Sequence, residues 1–473
     1  MRVAQLAVAE KPSLRKGQIG LLHMIIATLA NVGPAQGIFF SIAFLASTTG
    51  EASPLGMLVA AVAILTVGNT LTAFSREIPS AGSFITFVSR TFGAYVGIAL
   101  AVTVSIGYIL AITPIIIEIG GWVSAVLQQN FHLAVPWQLI TIAGSVLIAY
   151  LVVRGIKVSS SWAVGLFFTE AIVLLLLSVV ILFKGGAAGL HIGPFLPNHI
   201  SGGLKSLGLA FPLLVFSFVG FENSGPLAEE VIHPRKNIPR AVFFAIFIVA
   251  VLYVLSTYAA IEGYGSAHLQ TLANDPAPFN TLAQRYLGSF GVFLIDIVGF
   301  TSLVACTIAA ANSQSRIIFH AGREGLIPHY FGRVNKRYGT PHVALLTYLI
   351  VALGLIIIIG WNMQPMTFYA EMGSLGTIPI VLMYLLANIA LPFYMWKNNR
   401  SQFSVWTHGM VPLIGLLVLL WSLWGLVQPG QPSPYNTFPY IVLGIVVFSY
   451  LYALWLGRKD RSVLDVAAQT LAD

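Results

Sequence analysis

Five carboxylates stand inside runs of apolar residues: Glu118, Glu170, Glu222, Asp296 and Glu371. An ionisable group placed in hydrocarbon is costly and marks, by default, a path for an ion or a polar substrate. Thr301 and Ser302, in the same run as Asp296, offer hydroxyl oxygens to a sodium ion, although helical hydroxyls more commonly bond their own preceding turn. His23 and Asn31 are also polar at lipid depth, where such groups usually bond between helices. No enzyme motif accompanies them. H-E-x-x-H, G-x-S-x-G and G-x-x-x-x-G-K-[ST] are all missing, and the ten histidines are scattered. The sequence therefore predicts no catalytic residue, no ATP-driven pump and no metal site. The single cysteine, Cys306, excludes an intramolecular disulfide and a Cys-based metal centre, and reads as a small packing residue.

Two stretches are built to interrupt a helix. "FPLLVFSFVGFENSGPLAEE" starts as a membrane span and then sets Gly220, Glu222, Asn223, Gly225 and Pro226 within seven residues. "NVGPAQGIF", Asn31 to Phe39, carries Pro34, which lacks an N–H donor, between Gly33 and Gly37. Each exposed backbone group costs several kcal/mol in hydrocarbon, so such a break persists only where it lines a cavity or a site. Free N–H groups at a half-helix N-terminus suit a carboxylate, and unwound carbonyls suit an ammonium or a cation. A zwitterionic amino acid fits both ends.

These residues need spans to hold them. Of 473 residues 57% are hydrophobic and 8% charged, with mean hydropathy +0.86, against about a quarter charged in soluble domains. Twelve apolar runs reach membrane-spanning length: 19–48, 55–75, 93–127, 136–153, 161–183, 203–228, 239–263, 289–313, 341–361, 368–396, 406–428 and 437–456. All but three of the 24 Lys and Arg residues then fall on one side, leaving Lys184, Lys205 and Arg285 on the other. The net charge of +8 is thus a topology signal that predicts cytosolic termini in a multi-pass cell-membrane protein, with no nucleic-acid partner. No cleavable signal peptide is expected in "MRVAQLAVAEKPSLRKGQ". Residues 264–288 read as a turn and a short amphipathic helix. Residues 314–340 read as a short helix near the cytosolic surface, beyond the span at 289–313, followed by a turn at Gly325 and Pro328.

The interrupted spans are the first and the sixth. That spacing predicts an all-α membrane protein with a five-plus-five inverted repeat. The predicted organisation is a tail at 1–18, repeats at 19–184 and 203–397, two added helices within 405–456, and a tail at 457–473.

The chain resembles amino acid permeases of the amino acid–polyamine–organocation superfamily over nearly its whole length. "REIPSAGSFITFVSRTFG", "FSFVGFENSGPLAEEVIHPRKNIPRA" and "SQSRIIFHAGREGLIPHYFGRVNKRYGTPHVAL" carry the resemblance, the last two most specifically. It implies the leucine-transporter-type fold and alternating-access transport of an amino acid or related amine. Where many relatives have a Gly-Ser-Gly-Ile-like break, this chain has "GPAQGIF". Backbone from Ala35, Gln36 and Gly37, next to Val32 and Gly33, is expected to meet the substrate carboxylate. Carbonyls of Phe216, Ser217 and Val219 are expected to meet its amino group. Gly220 supplies the turn, and the resemblance casts Phe216 as the aromatic cap and Glu222 as a link to the cytosolic gate. Glu229 and Glu230 are expected to pair with Arg235, Lys236 and Arg240. Some relatives carry a lysine in place of Glu170, its ammonium standing in for sodium. Burial penalises the charged carboxylate, so Glu170 is expected to take up and release a coupling proton, with sodium at Thr301 and Ser302 the alternative. No other cofactor is expected. Partners are a small-molecule substrate and the bilayer, in a monomer or homodimer. An amine or polyamine carrier, an exchanger and a transporter-like nutrient sensor are the competing readings.

Overall fold

Broken apolar helices dominate the computed structural model, which describes residues 20–78, 82–155, 160–222, 225, 231–323, 327–335 and 337–459. Among the described residues there is no strand, and ten helical stretches are long and apolar enough to cross a membrane. Two further apolar helices are shorter, Trp137–Val153 and Gly203–Phe216. Large apolar side chains such as Phe183, Ile358 and Tyr440 face outward at 90%, 80% and 76% exposure, as lipid contact requires.

The first span consists of α1 (Leu21–Val32), α2 (Pro34–Phe39) and α3 (Ile42–Thr49). It is followed by α4 (Ser53–Glu77), α5 (Ser83–Phe92), α6 (Ala94–Phe131), α7 (Trp137–Val153) and α8 (Ser160–Phe183). The 38 residues of α6 make a rod of about 57 Å at 1.5 Å per residue, so it extends well past a 30 Å hydrocarbon core. Next come α9 (Gly203–Phe216), α10 (Pro234–Tyr264), the short α11 (Leu269–Asn274) and α12 (Pro278–Leu287), and α13 (Ser289–Arg323). The chain closes with α14 (His342–Leu355), α15 (Pro365–Asn398), α16 (Val411–Val427) and α17 (Phe438–Lys459).

The connection at 264–288 contains the expected lead-in helix, α12, preceded by one more, α11. The expectation for 314–340 is corrected. Residues up to Arg323 continue α13 without a break, because nothing between Asn312 and Arg323 stops a helix. Gly325 lies outside the described residues, and a single short turn, His329–Gly332, follows Pro328.

Close backbone contact sets the packing around the broken spans. A Cβ on Gly208 of α9 would sit 2.6 Å from Cα of Gly425 in α16, so these two helices touch through bare glycine. A Cβ on Gly376 of α15 would lie 2.5 Å from the Ala111 amide nitrogen of α6, and α6 and α15 share the most extensive helix contact. Small residues let helices approach where lipid gives no hydrophobic drive for association.

Candidate functional site

Both interruptions exist, and they touch. The first is a single residue, Gly33, at φ 62° and ψ 73°, a left-handed conformation that favours glycine. It closes α1, its N–H bonding Leu29 O at 3.1 Å, and it precedes Pro34 at the first position of α2, where no N–H is needed. The second begins after Phe216. Phe218 and Val219 donate to Val215 and Phe216 carbonyls in tight turns at 2.9 and 3.0 Å, and Gly220 turns at φ 119°. A Cβ on Gly220 would lie 2.8 Å from Asn31 O and 3.1 Å from Val32 N, so the turn of one broken span rests on the last peptide before the other break. The Ser217 hydroxyl donates to Gly37 O at 3.0 Å, and Tyr253 of α10 donates to Ser217 O at 2.8 Å.

The amides that open α2 are held by other helices. Ala35 N–H donates to Glu170 Oε2 of α8 at 3.4 Å. Gln36 N–H donates to the Ser302 hydroxyl of α13 at 3.1 Å, and that hydroxyl donates to the same Glu170 oxygen at 3.0 Å. Glu170 is 3% exposed, so the carboxylate sits at the positive end of a buried half-helix with two donors on one oxygen. The Gly37 N–H continues the helix to Gly33 O at 3.0 Å.

Beside this junction lies a cavity of about 30 Å³, roughly one water's share of liquid volume and far below the 300–1,000 Å³ of a typical ligand pocket. Asn31, Gln36, Phe216, Val219 and Gly220 line it from the broken spans. Ala111, Ile112 and Ile115 of α6 and Cys306 and Ala310 of α13 give it an apolar wall, and Tyr108, Gln314 and Tyr348 close one side. Among the described residues, no charged side chain lines it. Gln36 is anchored twice, its Nε2 donating to Val32 O at 3.2 Å and its Oε1 accepting from Tyr369 at 3.0 Å. The buried Asn31 Oδ1 has no partner among the described residues.

The sequence expectations divide accordingly. Gln36, Phe216, Val219 and Gly220 reach the cavity, whereas Val32, Gly33, Ala35, Gly37 and Ser217 form the junction behind it. The Ala35 and Gln36 amides are engaged by Glu170 and Ser302, and the Ser217 carbonyl by Tyr253. Glu170 and Ser302 come together with the first break, but Thr301 bonds Ile297 O of its own helix at 2.9 Å and stands apart. Glu222 caps its own break: one oxygen accepts from Gly220 N–H at 2.9 Å and the other from Tyr108 at 2.7 Å. Asp296 is held by Asn280 at 2.6 Å and Asn130 at 2.9 Å, tying α12 to the end of α6. Glu118 is buried, with Oε1 unpartnered among the described residues, and His23 is exposed at the start of α1. Glu229 and Glu230 lie outside the described residues.

Sequence reasoning missed Tyr108, Gln314 and Tyr348. A lone polar residue in a long apolar helix was their only signal. Cys306, read as packing, does pack, its thiol donating to Asn31 O at 3.2 Å, but it also forms cavity wall.

Two facing interruptions, in a helical bundle with large apolar side chains on its outside, belong to a multi-pass membrane protein. A family model described as amino acid permease matches residues 18–448, and the chain belongs to that family. It is a permease rather than an enzyme, embedded in the membrane by many passes. Similar proteins in Bacillus subtilis include the branched-chain amino acid permease BcaP, 24% identical over 90% of this chain and 91% of that protein. The methylthioribose transporter is 25% identical over 93% of each chain. The glutamate/serine transporter AimA is 24% identical over 94% of this chain and 83% of its own.

Proposed function

We propose that this permease is a secondary transporter that carries an amino acid with an aliphatic side chain by alternating access, with Glu170 handling a coupling proton. One observation carries the reading: Gly220 rests on the Asn31–Val32 peptide, with a cavity beside the contact that is apolar on the α6 and α13 sides and amide-lined on the other. Asn31 and Gln36 amides suit the polar end of a zwitterion, and Ile112, Ile115 and Cys306 suit an aliphatic side chain. Among the described residues no carboxylate lines the cavity, and a polyamine needs carboxylates around it. The name of the similar branched-chain permease is consistent with that class. At about 30 Å³ the cavity must widen to admit any amino acid, which fits a closed arrangement in an alternating-access cycle.

The helix pairings support twelve spans in a five-plus-five repeat. Taking α1–α3 and α9 as equivalent, α1 packs on α10 while α9 packs on α4; α1 packs on α8 while α9 packs on α15. Likewise α6 packs on α7 and α15, while α13 packs on α14 and α8. Each contact has its counterpart when the halves are exchanged.

Proton coupling follows from competition at the start of α2. An ionised Glu170 draws on the donors that a substrate carboxylate needs. Protonation removes that charge and loosens the Ala35 amide, so proton and substrate load together. Sodium is the second reading, favoured only by the Ser302 hydroxyl at the same place.

The test uses purified protein in liposomes with an inward proton gradient and radiolabelled isoleucine, alongside labelling of Cys306 by a methanethiosulfonate. Isoleucine should accumulate and should slow Cys306 labelling. Labelling indifferent to all twenty amino acids, with no gradient-driven uptake of any, would overturn the proposal.

A further inference from the structure

A second cavity, of about 720 Å³, opens between α4 and α10, away from the helix junction. Its upper rim is basic: Arg76 from the last turn of α4, and Arg235, Lys236 and Arg240 from the first two turns of α10. Its lower wall is apolar, with Phe243 and Phe244 at 56% and 47% exposure on the lipid-facing side of α10. Arg240, Phe243 and Phe244 are three and four residues apart, so one helix face carries a cation at one level and aromatic rings one turn deeper. That is the polarity profile of a phospholipid, phosphate above and acyl chains below.

Charge placement points the same way. Arg235 and Lys236 stand in the first turn of α10, where the helix dipole disfavours cations. An anion seated there gains from the dipole and from both side chains. Among the described residues the ion pairs are all between histidine and glutamate at a different site, none at this rim. If Glu229 and Glu230 both paired with the rim, four positive charges less two negative would still leave +2. The volume falls within the range of sites that enclose an organic ligand, and is far larger than an inorganic anion needs.

We propose that this groove is a binding site for one anionic glycerophospholipid, its phosphate held by Arg76, Arg235, Lys236 and Arg240 and its acyl chains lying against Phe243 and Phe244. Basic pockets between membrane helices are suited to such headgroups. A lipid seated here contacts α4 and α10, helices from the two different halves of the chain, and so resists their separation.

The full-length protein in a neutral detergent is titrated with dioleoylphosphatidylglycerol, dioleoylphosphatidylcholine or inorganic phosphate, and lipid binding is read by native mass spectrometry and by melting temperature. Phosphatidylglycerol should bind with a stoichiometry near one and raise the melting temperature. The other two should not do so at equal concentration. Affinity should fall about fivefold for each rim cation replaced by Gln, tested in Arg240→Gln alone and in an Arg235→Gln/Lys236→Gln/Arg240→Gln protein. Should the triple variant not fold, Arg76→Gln alone carries the same comparison. Arg333→Gln/Arg337→Gln, distant basic residues, should leave affinity unchanged. Equal binding of phosphatidylcholine, an equal response to inorganic phosphate, or equal loss in the distant variant would each overturn the proposal.

Discussion

The two interruptions are built on opposite plans. The first is one left-handed residue, and the amides it frees are held from outside by Glu170 of α8 and Ser302 of α13. The second is a longer turn that caps itself: Glu222 folds back on the Gly220 amide two residues earlier, with Tyr108 of α6 steadying it. A break held by its neighbours changes when a neighbour changes its charge. A break that caps itself depends less on its neighbours for its shape. Under the proposed proton coupling, the first break would sense and the second would position.

The largest expected effect lies at Gly220. Alanine there meets backbone 2.8 Å away and a φ of 119°, a strain of roughly 1–3 kcal/mol before any rearrangement, so uptake should fall about tenfold or more and the melting temperature should drop. Gly33→Ala meets only the Gln36 and Cys306 side chains within 3.2 Å and costs about 1–2 kcal/mol for its left-handed backbone, so its loss of uptake and stability should be smaller. A reversed order between these two would break the comparison.

The next effect separates the two carboxylates. Glu170→Gln should abolish accumulation driven by a proton gradient while leaving substrate counterflow within about threefold, since the amide preserves the shape but not the titration. Full accumulation by this variant would remove Glu170 from coupling. Glu222→Gln should instead keep the gradient response and lose stability, by about 1–3 kcal/mol in thermal unfolding, as a charge-assisted hydrogen bond is weakened. Tyr108→Phe removes the hydroxyl that donates to Glu222, and should cost about 1 kcal/mol of stability with proton coupling intact.

The smallest effect concerns a latch joining the far ends of the two broken spans. His191 and His199, in the connection before α9, both contact Glu51 just after α3, His199 at 2.9 Å. His191 also lies 2.9 Å from Glu262 of α10. Partial burial opposes charge on His191, but hydrogen bonding to Glu51 and the charge of Glu262 outweigh it and hold the imidazole above its ordinary range. A raised value means the native state binds the proton more tightly. Its stabilisation is therefore complete below an unfolded value near 6.5 and fades as pH rises through the higher native value. Melting temperature measured from pH 6 upward should decline slightly in that window, and His191→Gln should flatten the decline.

Much of this was legible before any coordinates. Span positions follow from apolar run length, and the two breaks from Gly33-Pro34 and Gly220, because hydrocarbon tolerates no unbonded backbone. Glu170 stood out among five carboxylates in apolar runs because some relatives carry a lysine at its place. Which neighbour meets which was not. Thr301 and Ser302 are adjacent in sequence, yet one faces the first break and the other bonds its own helix, a difference of about 100° around the helix that composition does not encode. The partners of the Ala35 and Gln36 amides were hidden in the same way, since they come from helices more than a hundred residues distant. Tyr108, Gln314 and Tyr348 were invisible as a group because they meet only once α6, α13 and α14 are packed.

The bare contact of Gly208 on Gly425 carries a mechanical consequence for the last two helices. Any swing that pried α9 from α16 would have to unzip backbone from backbone, and a single methyl on either glycine would jam it. The stem formed by α9 is thereby held against α16, a helix that follows α15 in the chain. Under the proposed cycle, any opening that preserves this contact must carry the other helices around a stationary stem.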